Sequence, residues 1–241
     1  MEIVKEAPRT RKGPGRPPGP TPEGIETRQR LYETAIELIA ERGFEETTLR
    51  DVAKRARVSP GLLYRYFPSK RAVVLSLYDD LSAEYAAQAA LPKGRWRDRA
   101  MAALRSSLRV LGPHRGTLSA LVPVLVGDKE EGLFAPGTAR SRIRVQSVFA
   151  QAVSGASDAP KPELASALGR LLYLIHLAVL LWWLLDKSPR QRATTALVSL
   201  LERTMPLAAL ALRVGPVRSI VINGDALFRD ALFDNAQVAR A

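Results

Sequence analysis

Tyr64, Arg65 and Tyr66 stand side by side in a stretch bounded by Ser59-Pro60 and Phe67-Pro68. These residue types suit recognition of a polyanion. A guanidinium can hold guanine O6 and N7 through two parallel hydrogen bonds. Phenol hydroxyls grip phosphate oxygens, which sets position without reading sequence. Catalytic chemistry finds no footing in the chain. No carboxylates pair in a recognisable motif, and there is no nucleophile elbow and no Gly-rich phosphate loop. With two His and no Cys, neither a metal centre nor a disulfide is expected, and no cofactor is implied. The sequence therefore reads as a binding protein and not an enzyme.

A helix of two turns seldom forms alone, so a scaffold must hold residues 60–66 in place. The flanking sequence supplies one. Thr48 with Asp51 matches a capping start, and Leu49, Val52, Ala53 and Ala56 then recur on one face. Arg57 and Val58 make a turn. Ser59 is an N-cap and Pro60 fits the first helical position, while Gly61 lets another backbone come close. Leu63 and Phe67 face inward, which leaves Leu62, Arg65 and Tyr66 on other faces and Tyr64 to one side. Pro68 stops the helix. Ser69 caps the next one, with Lys70 in its first turn, where the free N–H groups and the ammonium together favour a phosphate. Upstream, Leu31, Ala35, Leu38 and Ile39 form one apolar stripe closed by Gly43, and Phe44 follows as a core plug. Arg50 lies on the exposed side of the supporting helix.

Residues 28–75 resemble the DNA-binding domain of the TetR (tetracycline repressor) family. The pattern is a helix ending in ERGF, followed by TTLRDVAKRARVSPGLLYRYFPSKRAVV. Gly61, Tyr64, Phe67 and Lys70 fall on the family's hallmark positions. Leu62 departs from it, standing where Thr or Ser is common, so more of the readout falls to Arg65 and Tyr66. The resemblance implies a DNA-binding set of Thr48, Arg50, Ser59, Pro60, Gly61, Leu62, Tyr64, Arg65, Tyr66 and Lys70. Arg65 is the base reader, whereas Thr48, Tyr64, Tyr66 and Lys70 contact phosphate.

A net charge of +12 over 241 residues fits a polyanionic partner but does not separate DNA from RNA or membrane. Residues 1–26 are rich in Pro and Gly and are expected to be a disordered basic arm. Within it, Gly15-Arg16-Pro17 resembles the core of an AT-hook, so Arg16 is a candidate for the minor groove; a plain solvated tail is the alternative. The first 30 residues lack an apolar segment, so no secretory leader is expected.

Helical patterns continue through 72–90, 96–111, 115–126, 139–154, 162–186 and 190–212, with no alternating run of β type. The fold class is therefore all-α. The resemblance implies a helix-turn-helix domain at 27–75 and a helical ligand-binding and dimerisation domain at 76–212, followed by a C-terminal extension at 213–241. That extension contains SIVING, which is locally strand-like, and an amphipathic tail. The run at 171–185 is too short and too interrupted for a bilayer span, and reads as a buried interface helix. By resemblance, the last two helices build a dimer interface through Leu180, Trp182, Trp183, Leu197, Leu200 and Leu201. Trp96, Met101, Leu104, His114, Leu118, Leu121, Phe149, Tyr173 and His176 are candidates to line a pocket, or are plain core.

The resulting expectation is a cytoplasmic homodimer, nucleoid-associated when bound to a palindromic operator. It is a repressor released by an unidentified, largely apolar small-molecule effector, with no membrane partner. The alternative is a DNA-binding regulator without such an effector, controlled by a protein partner or acting as an activator.

Overall fold

The computed structural model of the chain describes residues 21–130 and 132–233. These form helices α1 (Pro22–Arg42), α2 (Leu49–Arg55), α3 (Pro60–Tyr66), α4 (Lys70–Gln88), α5 (Trp96–Leu111), α6 (Arg115–Ala120), α7 (Val122–Gly127), α8 (Ala139–Ser154), α9 (Pro162–Leu185), α10 (Arg192–Ala211) and α11 (Gly215–Phe228). No strand occurs among the described residues, and the fold is all-α.

Local signals explain the helix starts of the head. Thr48 and Asp51 satisfy each other's backbone N–H groups in a capping box at α2. Ser59 and Ser69 accept from Leu62 N and Ala72 N at the starts of α3 and α4. Gly43 ends α1 at a φ of 90°, which a side chain would resist. The expected 115–126 helix breaks at Leu121 into α6 and α7, because Pro123 opens the second piece.

Two stretches differ from the sequence expectation. Disorder was expected through residue 26, yet α1 begins at Pro22. Thr21 accepts from Gly24 N at 3.2 Å, Pro22 fills the first turn and Glu23 faces the positive helix end. The strand-like SIVING lies inside helix α11, whose Gly215-Pro216 opens a helix instead of closing a turn. A short apolar run fits either period, and packing against α9 decides it. Arg16, the rest of the N-terminal arm to residue 20, and residues 234–241 lie outside the described residues.

Helices α1–α3 form a head, and α4 runs from it into the body. Leu31, Leu38, Ile39, Val52, Leu63, Phe67, Val73 and Val74 make the head core, which continues without a break into Leu118, Leu121 and Trp183. Helix α6 lies on α1 at this junction. A second cluster, including Trp96, Met101, Leu104, Phe149, Leu172 and Val198, joins α5, α8, α9 and α10. Each fully buried Leu or Phe contributes about 1.5–3 kcal/mol by leaving water.

Polar ties fix the frame. Arg144 donates to the Asp79 carboxylate and carbonyl, both at 2.9 Å, pinning α8 to α4. Arg115 donates to the carbonyls of Trp183 and Asp186, where the dipole at the end of α9 favours a cation. Asp186 accepts from Thr194 and Ser188 at the start of α10, and these bonds hold its carboxyl well below the usual range. Helix α9 is long and apolar enough to cross a membrane, but half of its most apolar window is buried within the chain.

Candidate nucleic-acid interface and body cavity

Helix α3 is held by Leu63 and Phe67, both buried, and turns its other sides outward. Tyr64 is 47% exposed, and Gly61 and Arg65 are exposed beside it. Pro60 and Ser59 sit at the exposed start of the helix, with the Ser59 side chain occupied by its cap. Leu62 and Tyr66 are half-buried. The Tyr66 hydroxyl reaches back toward Gly24 of α1, where an added Cβ would lie 3.3 Å from it. Of the two tyrosines, Tyr64 therefore presents the freer hydroxyl.

Several cations of the head are left unpaired. Arg50, Lys54, Arg57 and Arg65 are exposed and make no ion pair among the described residues. Arg55 differs, because Nη1 donates to both Glu41 oxygens at 2.8 and 2.9 Å. Arg57 holds a left-handed φ of 56° in the turn between α2 and α3. Sequence reading used Arg57 only as a turn residue and did not consider Lys54; the run of cations from Arg50 to Arg65, with Asp51 as its one acid, was the available signal.

Two candidates are engaged inside the protein. Lys70 donates to the carbonyls of Phe44 and Glu45 and lies 4.1 Å from the centre of the Phe44 ring. Its ammonium thus ties α4 to the α1–α2 turn, where a phosphate grip was expected. Thr48 is exposed, but its hydroxyl donates to Asp51 Oδ2 at 2.5 Å while accepting from Asp51 N.

In the body, a cavity of about 410 Å³ opens between α4, α5, α8 and α9. Leu118, Tyr173 and His176 line it as expected. The other pocket candidates lie elsewhere. Met101, Leu104 and Phe149 pack in the second core cluster, and Trp96 borders a separate groove beside α10 and α11. Leu121 belongs to the head core, and His114 is a half-buried turn residue away from the cavity. Periodicity placed these residues inward, but it could not tell core from cavity wall.

His176 is buried, accepts or donates at Nε2 to Ser107 Oγ at 2.8 Å, and is flanked by Tyr85, Phe149 and Tyr173. Burial pulls its pKa down to about 3, so the ring is neutral. Burial likewise pushes up the Tyr85 and Tyr173 phenols. Arg142 also lines the cavity and was missed. It sits three residues before Val145 and seven before Phe149, so a cation in phase with the apolar stripe of α8 was its signal.

The expected interface residues divide in two. Trp182 is 49% exposed and Leu200 is exposed. Trp183 is 3% exposed; its Nε1 donates to Gln191, and its ring packs in the head core under Arg115. It is a core residue, not an outward one. Leu180, Leu197 and Leu201 are half-buried against the chain's own clusters. The outward stripes are Ile175, Trp182 and Leu185 on α9, and Leu200 and Leu207 on α10.

Residues 31–77, the head and the first turns of α4, match the model of the bacterial regulatory proteins of the tetR family. The head is therefore similar to the DNA-binding domain of TetR-family regulators. An HTH-type transcriptional regulator of Bacillus subtilis, YuxN, is 43% identical over 47 residues, 20% of this chain and 16% of its own length. The HTH-type transcriptional repressor KstR of Rhodococcus jostii is 43% identical over 51 residues, 21% of this chain and 24% of its own length. Both relatives are HTH-type transcriptional regulators, and the match spans under a quarter of each. A tetR-family transcriptional regulator from Streptomyces coelicolor has the same fold, with a TM-score of 0.57 at 23% identity, covering 90% of this chain and 99% of its own.

Proposed function

We propose that this chain is a TetR-type regulator, a cytoplasmic, sequence-specific transcriptional repressor. It acts as a homodimer on a palindromic operator and is released by a small, largely apolar effector. The observation that carries the reading is α3: a rigidly held helix whose exposed face offers Arg65 and Tyr64 within a cluster of unpaired cations. Arg65 reads a base edge, because its guanidinium is free of protein acceptors and suits guanine. Tyr64, Arg50, Arg57 and Lys54 contact phosphate.

Ile175, Trp182, Leu185, Leu200 and Leu207 are large apolar side chains left outside on two adjacent helices. Their burial against a second copy supports dimerisation, with Trp182 as the anchor. A two-fold dimer presents two copies of α3 and selects inverted half-sites. The shared core of α1 and α6 supports coupling, because the cavity-wall residue Leu118 belongs to the same packed cluster as Leu31 and Leu38.

Hydroxyl-radical footprinting of genomic fragments retained by the purified protein tests the reading. Two protected patches related by a dyad are expected. A single unsymmetrical patch would overturn the dimeric operator.

A further inference from the structure

The body cavity contains a charge that an apolar effector leaves unused. Arg142 is only 8% exposed. Its Nη1 donates to the carbonyls of Leu133 and Ala135 at 3.2 and 3.1 Å. A guanidinium carries five N–H donors. The three on Nε and Nη2 meet no protein acceptor among the described residues, and no carboxylate there lies within ion-pair distance. A largely buried cation with donors left over is stabilised when an anion joins it.

Other features of the cavity fit an anion. No Asp or Glu appears among its lining residues. Tyr173 lines the same cavity as Arg142, and its hydroxyl makes no hydrogen bond among the described residues. From Tyr173 to Trp183 the wall follows α9 for ten residues, about 15 Å at the helical rise. Along that length it is almost wholly apolar. An extended hydrocarbon advances about 1.25 Å per bond, so the wall matches about twelve carbons.

We infer that the cavity takes a long-chain carboxylate, its head on the Nε–Nη2 edge of Arg142 and the Tyr173 hydroxyl, its chain running along α9 toward Trp183. The planar fork of a guanidinium matches two carboxylate oxygens at once, which a neutral or cationic head cannot reproduce. The regulatory consequence rests on the effector reading above; the binding does not.

Calorimetric titration of the DNA-free protein with dodecanoate and with methyl dodecanoate tests the inference. The acid is expected to bind at least tenfold more tightly than the ester. Affinity should rise about fourfold per methylene from octanoate to dodecanoate. Tyr173→Phe should weaken the acid severalfold and leave the ester unchanged, and Arg142→Gln should abolish the preference. Arg142 also ties the 133–135 turn, so if Arg142→Gln fails to fold, the wild-type acid–ester ratio and Tyr173→Phe decide. Equal binding of acid and ester would overturn the inference. If dodecanoate binds but a retained DNA fragment is not released, the site stands and the effector reading falls. Release by the ester alone would overturn the carboxylate site and leave the effector reading standing.

Discussion

Asp225→Asn tests how α11 is held to the body. Asp225 is 5% exposed, and Arg170 donates to both of its oxygens, Nε to Oδ1 at 2.6 Å and Nη2 to Oδ2 at 2.5 Å. The same contact holds the Arg170 guanidinium above its ordinary range. Asparagine keeps the shape, removes the charge and turns an N–H group toward a cation. Hydrogen bonds to charged groups contribute about 1.5–3 kcal/mol each, and breaking a fully buried pair costs about 3–5. The Arg170 side chain is 31% exposed and recovers part of its hydration, which brings the expected loss to about 2 kcal/mol. Helix α11 packs chiefly on α9, so the loss should stay local. Hydrogen exchange should show protection in 215–233 falling about thirtyfold, with α1–α3 unchanged. Phe233 lies 5.7 Å from Phe134 and 6.4 Å from Tyr173, ring to ring, so loosening α11 should also open the cavity wall. Unchanged exchange in 215–228, or a loss spread evenly over all helices, would refute the local latch.

Lys70→Met should lower head stability by about 1–2 kcal/mol, because a half-exposed charged hydrogen bond is lost, while the slope of log K against log salt stays constant. A slope smaller by about 0.9 per half-site would instead put the ammonium on phosphate. Trp182→Asp should give monomers by sedimentation with helicity retained; dimers of wild-type affinity would remove α9 from the interface. His176 is neutral when folded and takes up a proton readily only when unfolded. Stability should therefore fall as pH drops from about 6.5 toward 3, by at most about 1.4 kcal/mol per unit. His176→Gln should flatten that fall in a melting-temperature series, and an unaltered slope would show that burial does not hold the ring neutral.

The head was legible because its signals are local. Thr48, Ser59 and Ser69 cap helices, Pro68 stops one, and Leu63 with Phe67 sets the inward face. Lys70 was not, since periodicity does not show where a long flexible side chain ends. In α9, apolarity all round hides the phase. Trp182 and Trp183 are neighbours in sequence, yet one helical step of about 100° puts the first outside and the second in the core. The cavity escaped for a related reason: Met101 and Phe149 look like wall residues in sequence, and only the packing of α5 on α8 makes them core. Helix α11 is tied to α9 by the Arg170–Asp225 pair, a contact across 55 residues that no local pattern announces.

Above all, the exposed face of α3 is proposed to read DNA sequence in a two-fold dimer. Selection of bound DNA from a random pool at physiological salt, run with wild-type protein and with Arg65→Ala, tests this most directly. An inverted repeat should enrich with the wild type. Arg65→Ala should cost about 1–3 kcal/mol and relax one position in each half-site. No enrichment, enrichment without symmetry, or an unchanged motif with Arg65→Ala would contradict sequence reading by α3.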